Sequence, residues 1–351
     1  MSFKRLEPED FVVSSDSITS TLWSNGSPTL TEFYTSSVQE AGSTGDFYLT
    51  VYQTASNLPG AASQFEIAYC DSEGSGSLLY NSIVPGNSPS KTLYGQFRSL
   101  ILEDENASFI FGDSTNTLVS SNFYVITLDR ARYKESLFPG SLGLNLSGSK
   151  GIISLTDNSK DDPVSKFLGT SRYYQLVSGS GGSSGNLANN GYVPGSGSYG
   201  LVFPDLGTIL LNPLAISESI GNSFENGAFA KRNNNTVDNN NRILYNSIVG
   251  TSTAPASNAA SFQLNSEETI TSDYIFVRSR NSEFNYSENP SFISGSTGEV
   301  IYDQFINHPQ VYATTIGMYN NSNELLAVAK LSRPLLKDFT KESLVRVKLD
   351  F

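Results

Sequence analysis

Ser343-Leu-Val-Arg-Val-Lys-Leu-Asp-Phe351 sets the terms on which the rest of the chain is read. Side chains of an extended backbone alternate between two faces. Val345, Val347, Leu349 and Phe351 therefore share one side, and Leu344, Arg346, Lys348 and Asp350 the other. A period of two with one apolar face is the pattern of a half-buried strand. The apolar last residue predicts a strand tied into a sheet and not a frayed tail.

Upstream, the same signals recur. Tyr312-Ala-Thr-Thr-Ile-Gly-Met-Tyr319 reads as a strand, Asn320-Asn-Ser-Asn323 as a turn, and Glu324-Leu-Leu-Ala-Val-Ala-Lys-Leu331 as the returning arm of a hairpin. Asp273-Tyr-Ile-Phe-Val-Arg278 is a further strand. Nearer the amino terminus, strands are predicted at 46–54, 64–70, 108–111 and 122–128. In the first of these, Leu49 and Val51 face away from Tyr48 and Thr50. Leu93, Phe97, Leu100 and Ile101 fit the stripe of a short helix over 92–102. Tyr199 to Pro213 is strongly apolar and should be packed.

Between these lie stretches rich in Gly, Ser and Asn. Ser178-Gly-Ser-Gly-Gly-Ser-Ser-Gly185, continuing to Gly191, reads as a flexible linker, and Lys231 to Asn241 as an exposed tip. No Gly-Lys-Ser/Thr follows the glycine run, so it is not a phosphate cradle. Leu-Tyr-Asn-Ser-Ile-Val occurs twice, at 79–84 and 244–249, which suggests two β-units with similar packing roles. No fixed period accompanies it, so no repeat architecture follows.

The composition agrees with the pattern. Of 351 residues, 38% are hydrophobic and only 16% charged, and 21 Phe and 18 Tyr are available to build a core. Aromatic and β-branched residues suit pleated surfaces, while Gly, Asn and Ser suit turns. The expectation is an all-β or β-dominated fold: antiparallel sheets in sandwich-like modules, with long Gly/Ser/Asn-rich loops and few short helices. Composition suggests three parts: a β-rich region over 1–160, a loop-rich module over 161–260, and a β region over 261–351 holding the hairpin and the last strand.

Several function classes fall away. A net charge of −12 opposes a nucleic-acid surface, which needs clustered Lys and Arg. The single cysteine, Cys70, cannot form an intrachain disulfide, and in its apolar strand it reads as a small core residue. One His and one Cys leave little for a zinc site or a thiol–imidazole pair. His308 precedes Pro309 in a loop, and no Gly-x-Ser-x-Gly elbow stands near it. The acidic pairs Asp104/Glu105 and Asp161/Asp162 read as solvated turns, not as glycosidase carboxylates. Asp157 to Asp162 is incomplete as a calcium loop. The sole Trp23, ahead of Ser-Asn-Gly, reads as a packed aromatic before a turn; the competing use is sugar stacking. No apolar signal core opens the chain and no run of about 18 apolar residues crosses a bilayer. Synthesis in a cytoplasm without membrane insertion, no enzymatic activity, and no cofactor or metal are expected.

Two segments are candidate contact sites. In Leu128 to Leu137, a spacing of two would put Arg130, Arg132 and Lys134 on one face of a strand, a row for an acidic neighbour; the alternative is a solvated turn or a charged strand edge. Glu283 to Val300 is polar yet carries Phe284, Tyr286 and Phe292, either as anchors of an arm that crosses to another subunit or as the packing of an ordinary loop.

A resemblance completes the reading. Glu283–Phe292, Pro309–Asn320, Glu324–Pro334 and the Val-Arg-Val-Lys-Leu-Asp-Phe ending resemble structural proteins of contractile-tailed bacteriophages, with the nearest likeness to those of marine myoviruses infecting cyanobacteria. Ser2–Asp10 and Tyr124–Gly140, with Arg-Ala-Arg-Tyr-Lys-Glu-Ser inside, look like the same group. The resemblance implies a virion subunit assembled in the host cytoplasm, with a tail baseplate wedge as its first address. Its partners would be other tail or baseplate proteins and copies of itself. A receptor- or carbohydrate-contacting fibre protein, or a neck or collar protein, is the alternative. It transfers no catalytic residue.

Overall fold

A computed structural model of the chain describes residues 3–37, 48–76, 83, 88–113, 117–185, 190–221, 240–250 and 260–350. Strand outweighs helix, 45% against 13%, and the large sheets are antiparallel, so the fold is β-dominated. The chain divides into two compact units, a larger one over Ile18–Glu268 and a smaller one joining Met1–Ser17 to Thr269–Phe351. Strand Gly151–Asp157 pairs with Ser171–Ser180 across residue 160, and Gly143–Gly148 pairs with Phe262–Gln263 across residue 260. Composition marks loops; strand pairing sets the units.

The larger unit is built on one long sheet. Its order runs Thr29–Leu30, Phe262–Gln263, Gly143–Gly148, Gly151–Asp157, Ser171–Ser180, Gly200–Phe203, Thr208–Leu211, Asn122–Leu128, Ser63–Asp71, Leu49–Tyr52 and Tyr34–Ser37. Strands near the two ends of this order meet. The Phe262 and Phe65 rings lie 5.3 Å apart, and Trp23 packs on both at 5.0 and 6.2 Å. The sheet thus curls around its own core. Trp23 is buried before a turn closed by Gly26 N–H on its carbonyl, and its indole N–H donates to Pro28 O at 3.1 Å.

Alternation along the central strands sorts side chains into two clusters. Phe65, Ile67 and Tyr69, with Tyr124, Ile126 and Leu128, point into the curl, where helices Pro213–Ile220 and Asn240–Val249 add Ala215, Ile216, Ile220, Ile243, Leu244 and Ile248. Ala68, Cys70, Phe123 and Val125 point outward beneath helix Pro89–Leu102. Both faces are covered, which is why these strands read as nearly continuous apolar runs, Tyr199 to Pro213 among them. Cys70 is fully buried, and burial pushes its thiol pKa well up. The first helix buries Ser90, Tyr94, Phe97 and Ile101. Leu100 is exposed, because the 90–94–97–101 stripe leaves it off the packed face.

Local chemistry fixes the connections. Asn212 caps the helix Pro213–Ile220 by accepting from Leu214 N–H at 3.1 Å, with Pro213 in the first helical position. Gly207 turns the chain between Gly200–Phe203 and Thr208–Leu211 at φ +61, and a Cβ there would lie 2.6 Å from the Tyr133 ring. Two sequence readings change. Ser178–Ser184 is part of a tight hairpin, with Gly179 and Ser180 paired to Ser184 and Ser183 around Gly181 and Gly182 at positive φ. The repeated hexapeptide is helical at 244–249, while its other copy and residues 231–239 lie outside the described residues except for Ile83.

The smaller unit holds most of a second sheet, in which Asn265–Ser279 runs between Phe11–Thr21 and Ser343–Asp350. The opening pattern holds. Val347 is buried, Val345 and Leu349 are half-buried, and Leu344, Arg346, Lys348 and Asp350 are exposed; Phe351 lies outside the described residues. A separate hairpin pairs Val311–Tyr319 with Leu325–Lys337. Its turn is shaped by Asn320, whose side-chain oxygen accepts from Ser322 N–H at 2.9 Å and Glu324 N–H at 2.8 Å.

Phe65→Ala is expected to cost about 3–5 kcal/mol, because the ring joins strands from both ends of the large sheet, whereas Leu100→Ala should stay within about 0.5 kcal/mol. Equilibrium denaturation of the two variants checks this, and equal losses would refute the curl as the source of stability.

Candidate interaction surface

The smaller unit has little apolar core. Its buried apolar side chains among the described residues are Ile275, Phe292 and Val347. Polar contacts hold much of the rest. The Lys337 ammonium, 3% exposed, donates to Asn281 O at 3.2 Å, Asn285 Oδ1 at 3.1 Å and Asp338 O at 3.2 Å. It ties the end of the hairpin to the loop before it. Asn285 is placed by Phe284, which takes the left-handed conformation at φ +55, and its amide donates to Asn281 O at 2.7 Å. Lys4 pairs with Glu283 at 2.9 Å, Arg278 with Glu342 at 2.9 Å and Lys348 with Asp350 at 2.8 Å.

These contacts set the acids. The Arg280 N–H and then the Lys4 ammonium hold Glu283 below its usual range. The Thr340 hydroxyl and N–H do the same for Asp338, Arg278 for Glu342, and Lys348 with Ser272 for Asp350. In the larger unit burial, followed by the Asp129 charge, raises Glu66 instead.

The apolar residues this unit does not bury are outside. On the hairpin, Ile316, Met318, Ala327 and Ala329 are half-buried on one face. Tyr319, Leu325 and Val328 are exposed, and Tyr319 and Leu325 lie over the bare backbone of Gly317. Leu326, 67% exposed, sits at a register shift. Phe11, Val12 and Val13 are exposed on the outer strand, with Tyr302, Ile306, Tyr312, Phe339 and Leu344 elsewhere in the unit. These exposed side chains make the unit the candidate interaction surface of the chain.

The residues singled out from sequence are placed differently from one another. Residues 130–132 form a turn, not a strand, so Arg130, Arg132 and Lys134 make no row. Asp129 is the reason: its carboxylate accepts from Ala131 N–H at 2.9 Å and starts the turn. Arg130 folds back on Tyr133, donating to its carbonyl at 2.7 Å with the guanidinium 4.5 Å from the ring centre, and Lys134 pairs with Glu268 at 3.3 Å. Glu283 to Val300 is a folded loop, closed by a bridge between Ile293 and Val300 and by Ser294 N–H on Glu299 O. Phe292 is buried and stacks on Phe305 at 4.6 Å, Phe284 is half-buried, and Tyr286 is exposed. Of the aromatic trio, Tyr286 is the most exposed. Sequence reasoning missed Phe11–Val13 and Leu325–Leu326. The Leu doublet was the available signal, since it breaks the alternation of a one-faced strand.

Other acids are occupied locally. Asp104 accepts from Asn106 N–H, Asp161 from Ser184 N–H, and both Asp157 oxygens receive Gly140 N–H at 2.9 Å. Among the described residues no group of three or more His, Cys, Asp or Glu is arranged to hold a metal ion, and no helix is long and apolar enough to cross a membrane. No family model matches this chain, and neither a curated protein nor a solved structure is similar enough to count as a match.

Lys337→Met should take the donor from Asn285 Oδ1 and Asp338 O and one of two donors from Asn281 O, at about 1–3 kcal/mol, and raise hydrogen exchange at 281–285 and along the hairpin while the large sheet keeps its protection. The depressed carboxylates give a second expectation. A carboxylate whose pKa is lowered by folding stabilises the fold above its usual value, and that contribution is lost as protons bind. From about pH 4.5 downward the smaller unit should open first, with Glu66 acting in the opposite direction in the larger. Exchange measured across that range would refute this if the large sheet opened earlier.

Proposed function

We propose that this chain is a non-catalytic structural subunit of a contractile-tailed bacteriophage virion, with a baseplate wedge as its address and protein–protein assembly as its work. Two things support the reading. The sequence phrases at both ends resemble virion proteins of that kind. The observation that carries it is the smaller unit, which among the described residues buries three apolar side chains while Val13, Leu326, Ile306 and Leu344 are each exposed by 65% or more. A surface of this kind gains by being covered, through burial of apolar area and strand pairing against neighbours. Tail and baseplate proteins are the partners this reading requires, the virion its destination, and the host cytoplasm its place of assembly.

The decisive measurement is a density map of the whole virion. The chain should appear at a fixed copy number in the baseplate, with the hairpin and the outer strands of the smaller unit against neighbouring subunits. Placement at the fibre tips would favour receptor contact instead. Release of peptidoglycan fragments by the purified chain, abolished by changing one carboxylate, would overturn the non-catalytic reading.

A further inference from the structure

The sheet of the smaller unit ends in two outer strands whose free sides differ in charge. From Leu6 to Thr21 the chain holds Glu7, Glu9, Asp10 and Asp16 and no Lys or Arg. The opposite outer strand, Ser343–Asp350, carries Arg346, Lys348 and Asp350 on its exposed side, two cations against one acid, with Lys348 paired to Asp350 at 2.8 Å. Among the described residues each outer strand pairs in its sheet with Asn265–Ser279 alone. A long outer strand offers a row of N–H and C=O groups to any chain that can pair with it, and proteins usually blunt such strands with lysine, proline or a cover. Among the described residues Phe11–Val13 has none of these, and Val12 and Val13 are 50% and 66% exposed.

The faces match as well as the charges. Ser15 Oγ lies 3.5 Å from Thr271 Oγ1, which places Ser15, and by alternation Phe11 and Val13, on the face of Ile275 and Val277. Val345 and Val347 lie opposite Val277 and Ile275, and so share that face. On the other face, Arg346 and Lys348 stand over the Tyr274 ring at 5.5 and 5.9 Å, and the even-numbered Val12 and Asp16 belong to this side. If the sheet continued from one outer strand to the other of a neighbour, apolar would meet apolar on one face, and on the other Asp16 would meet a face where Arg346 and Lys348 outnumber Asp350.

We propose that the partner is a second copy of this chain, with the outer strand Phe11–Asp16 of one copy pairing with the outer strand Ser343–Asp350 of the next. The contact is head-to-tail, so it repeats; it closes into a ring where the rotation allows and otherwise runs on as a filament. The inference rests on the reading of the chain as an assembly subunit and names one of its contacts.

The test uses two terminators of the full chain. Asp16→Arg, with Val13→Lys as a second variant at an exposed position, spoils the acidic edge. Arg346→Glu with Lys348→Glu, with Leu344→Glu as the second variant, spoils the basic edge. Circular dichroism checks that each still folds. In sedimentation velocity the unaltered chain should form a concentration-dependent series of multimers, and each variant should associate about tenfold more weakly or worse. Mixed, the two terminators should form a one-to-one pair and nothing larger, since each keeps one intact edge. The proposal is overturned if the unaltered chain stays monomeric at every concentration, if folded variants associate as it does, or if the mixture gives no pair. The two readings fail separately. A virion map with other proteins on both edges removes this contact and keeps the assembly role, whereas pairing copies absent from every virion keep the contact and remove the address.

Discussion

Every extended strand has two sides of unsatisfied N–H and C=O groups, and where those groups find partners governs this molecule. The larger unit answers by curvature. Eleven strands in one antiparallel path would otherwise leave two long ends, and instead the path bends until Phe262, Phe65 and Trp23 pack as one aromatic knot. The curl encloses enough volume for two helices, so the inner face is filled by Ile216, Leu244 and their neighbours. The smaller unit has no such closure. Among the described residues the outer strands Phe11–Thr21 and Ser343–Asp350 and the two-stranded hairpin each keep an unshared edge, and a two-stranded hairpin is at best marginal in water without further cover.

That difference in closure goes with a difference in what holds each unit. In the larger unit the strands are covered on both faces, and burial of apolar surface is the dominant favourable contribution. In the smaller one, ion pairs and the Lys337 ammonium do work that apolar burial does elsewhere. Exposed pairs of this kind contribute little individually. A unit so held sits at the low end of the local stability range, where segments that order on assembly are found. The weak internal packing and the exposed apolar residues are two views of one fact: side chains that would have formed a core point outward.

How far the sequence disclosed this varies with the kind of signal. Strict alternation was reliable: Val345, Val347 and Leu349 face inward as their spacing requires, and the Asn320 turn joins the two strands it separates. Stripes and short runs were less so. Leu100 completes a plausible helical stripe, yet Tyr94 takes its place because the packed face follows 90, 94, 97 and 101. Leu-Tyr-Asn-Ser-Ile-Val is helical at 244–249, since six residues carry too little local preference to resist a site inside the curl that accepts Leu244 and Ile248. Gly-rich composition at 178–185 was read as slack, whereas two glycines at positive φ are what a tight hairpin needs. The charged run 128–137 held alternatives open that only the Asp129 turn could settle. Of the interaction surface, Tyr286 was legible as an aromatic in a polar loop, while Val12 and Val13 were not, because an apolar run in sequence does not say whether anything covers it.

The terminal strand has a property that the inward face alone does not explain. Burying Val345 and Val347 against Val277 and Ile275 would fix the register with any polar residues on the outer face. The residues present are Leu344, two cations and Asp350, with Lys348 paired to Asp350 and both Arg346 and Lys348 over the Tyr274 ring. A slip of one residue would drive both cations onto the face of Ile275 and Val277, so the charges reinforce the register by making its alternative costly. The same slip would remove the positive row from the side where Asp16 lies. Register within the chain and the charge offered at its edge are therefore set by one pattern, and a substitution that disturbs either is felt by both.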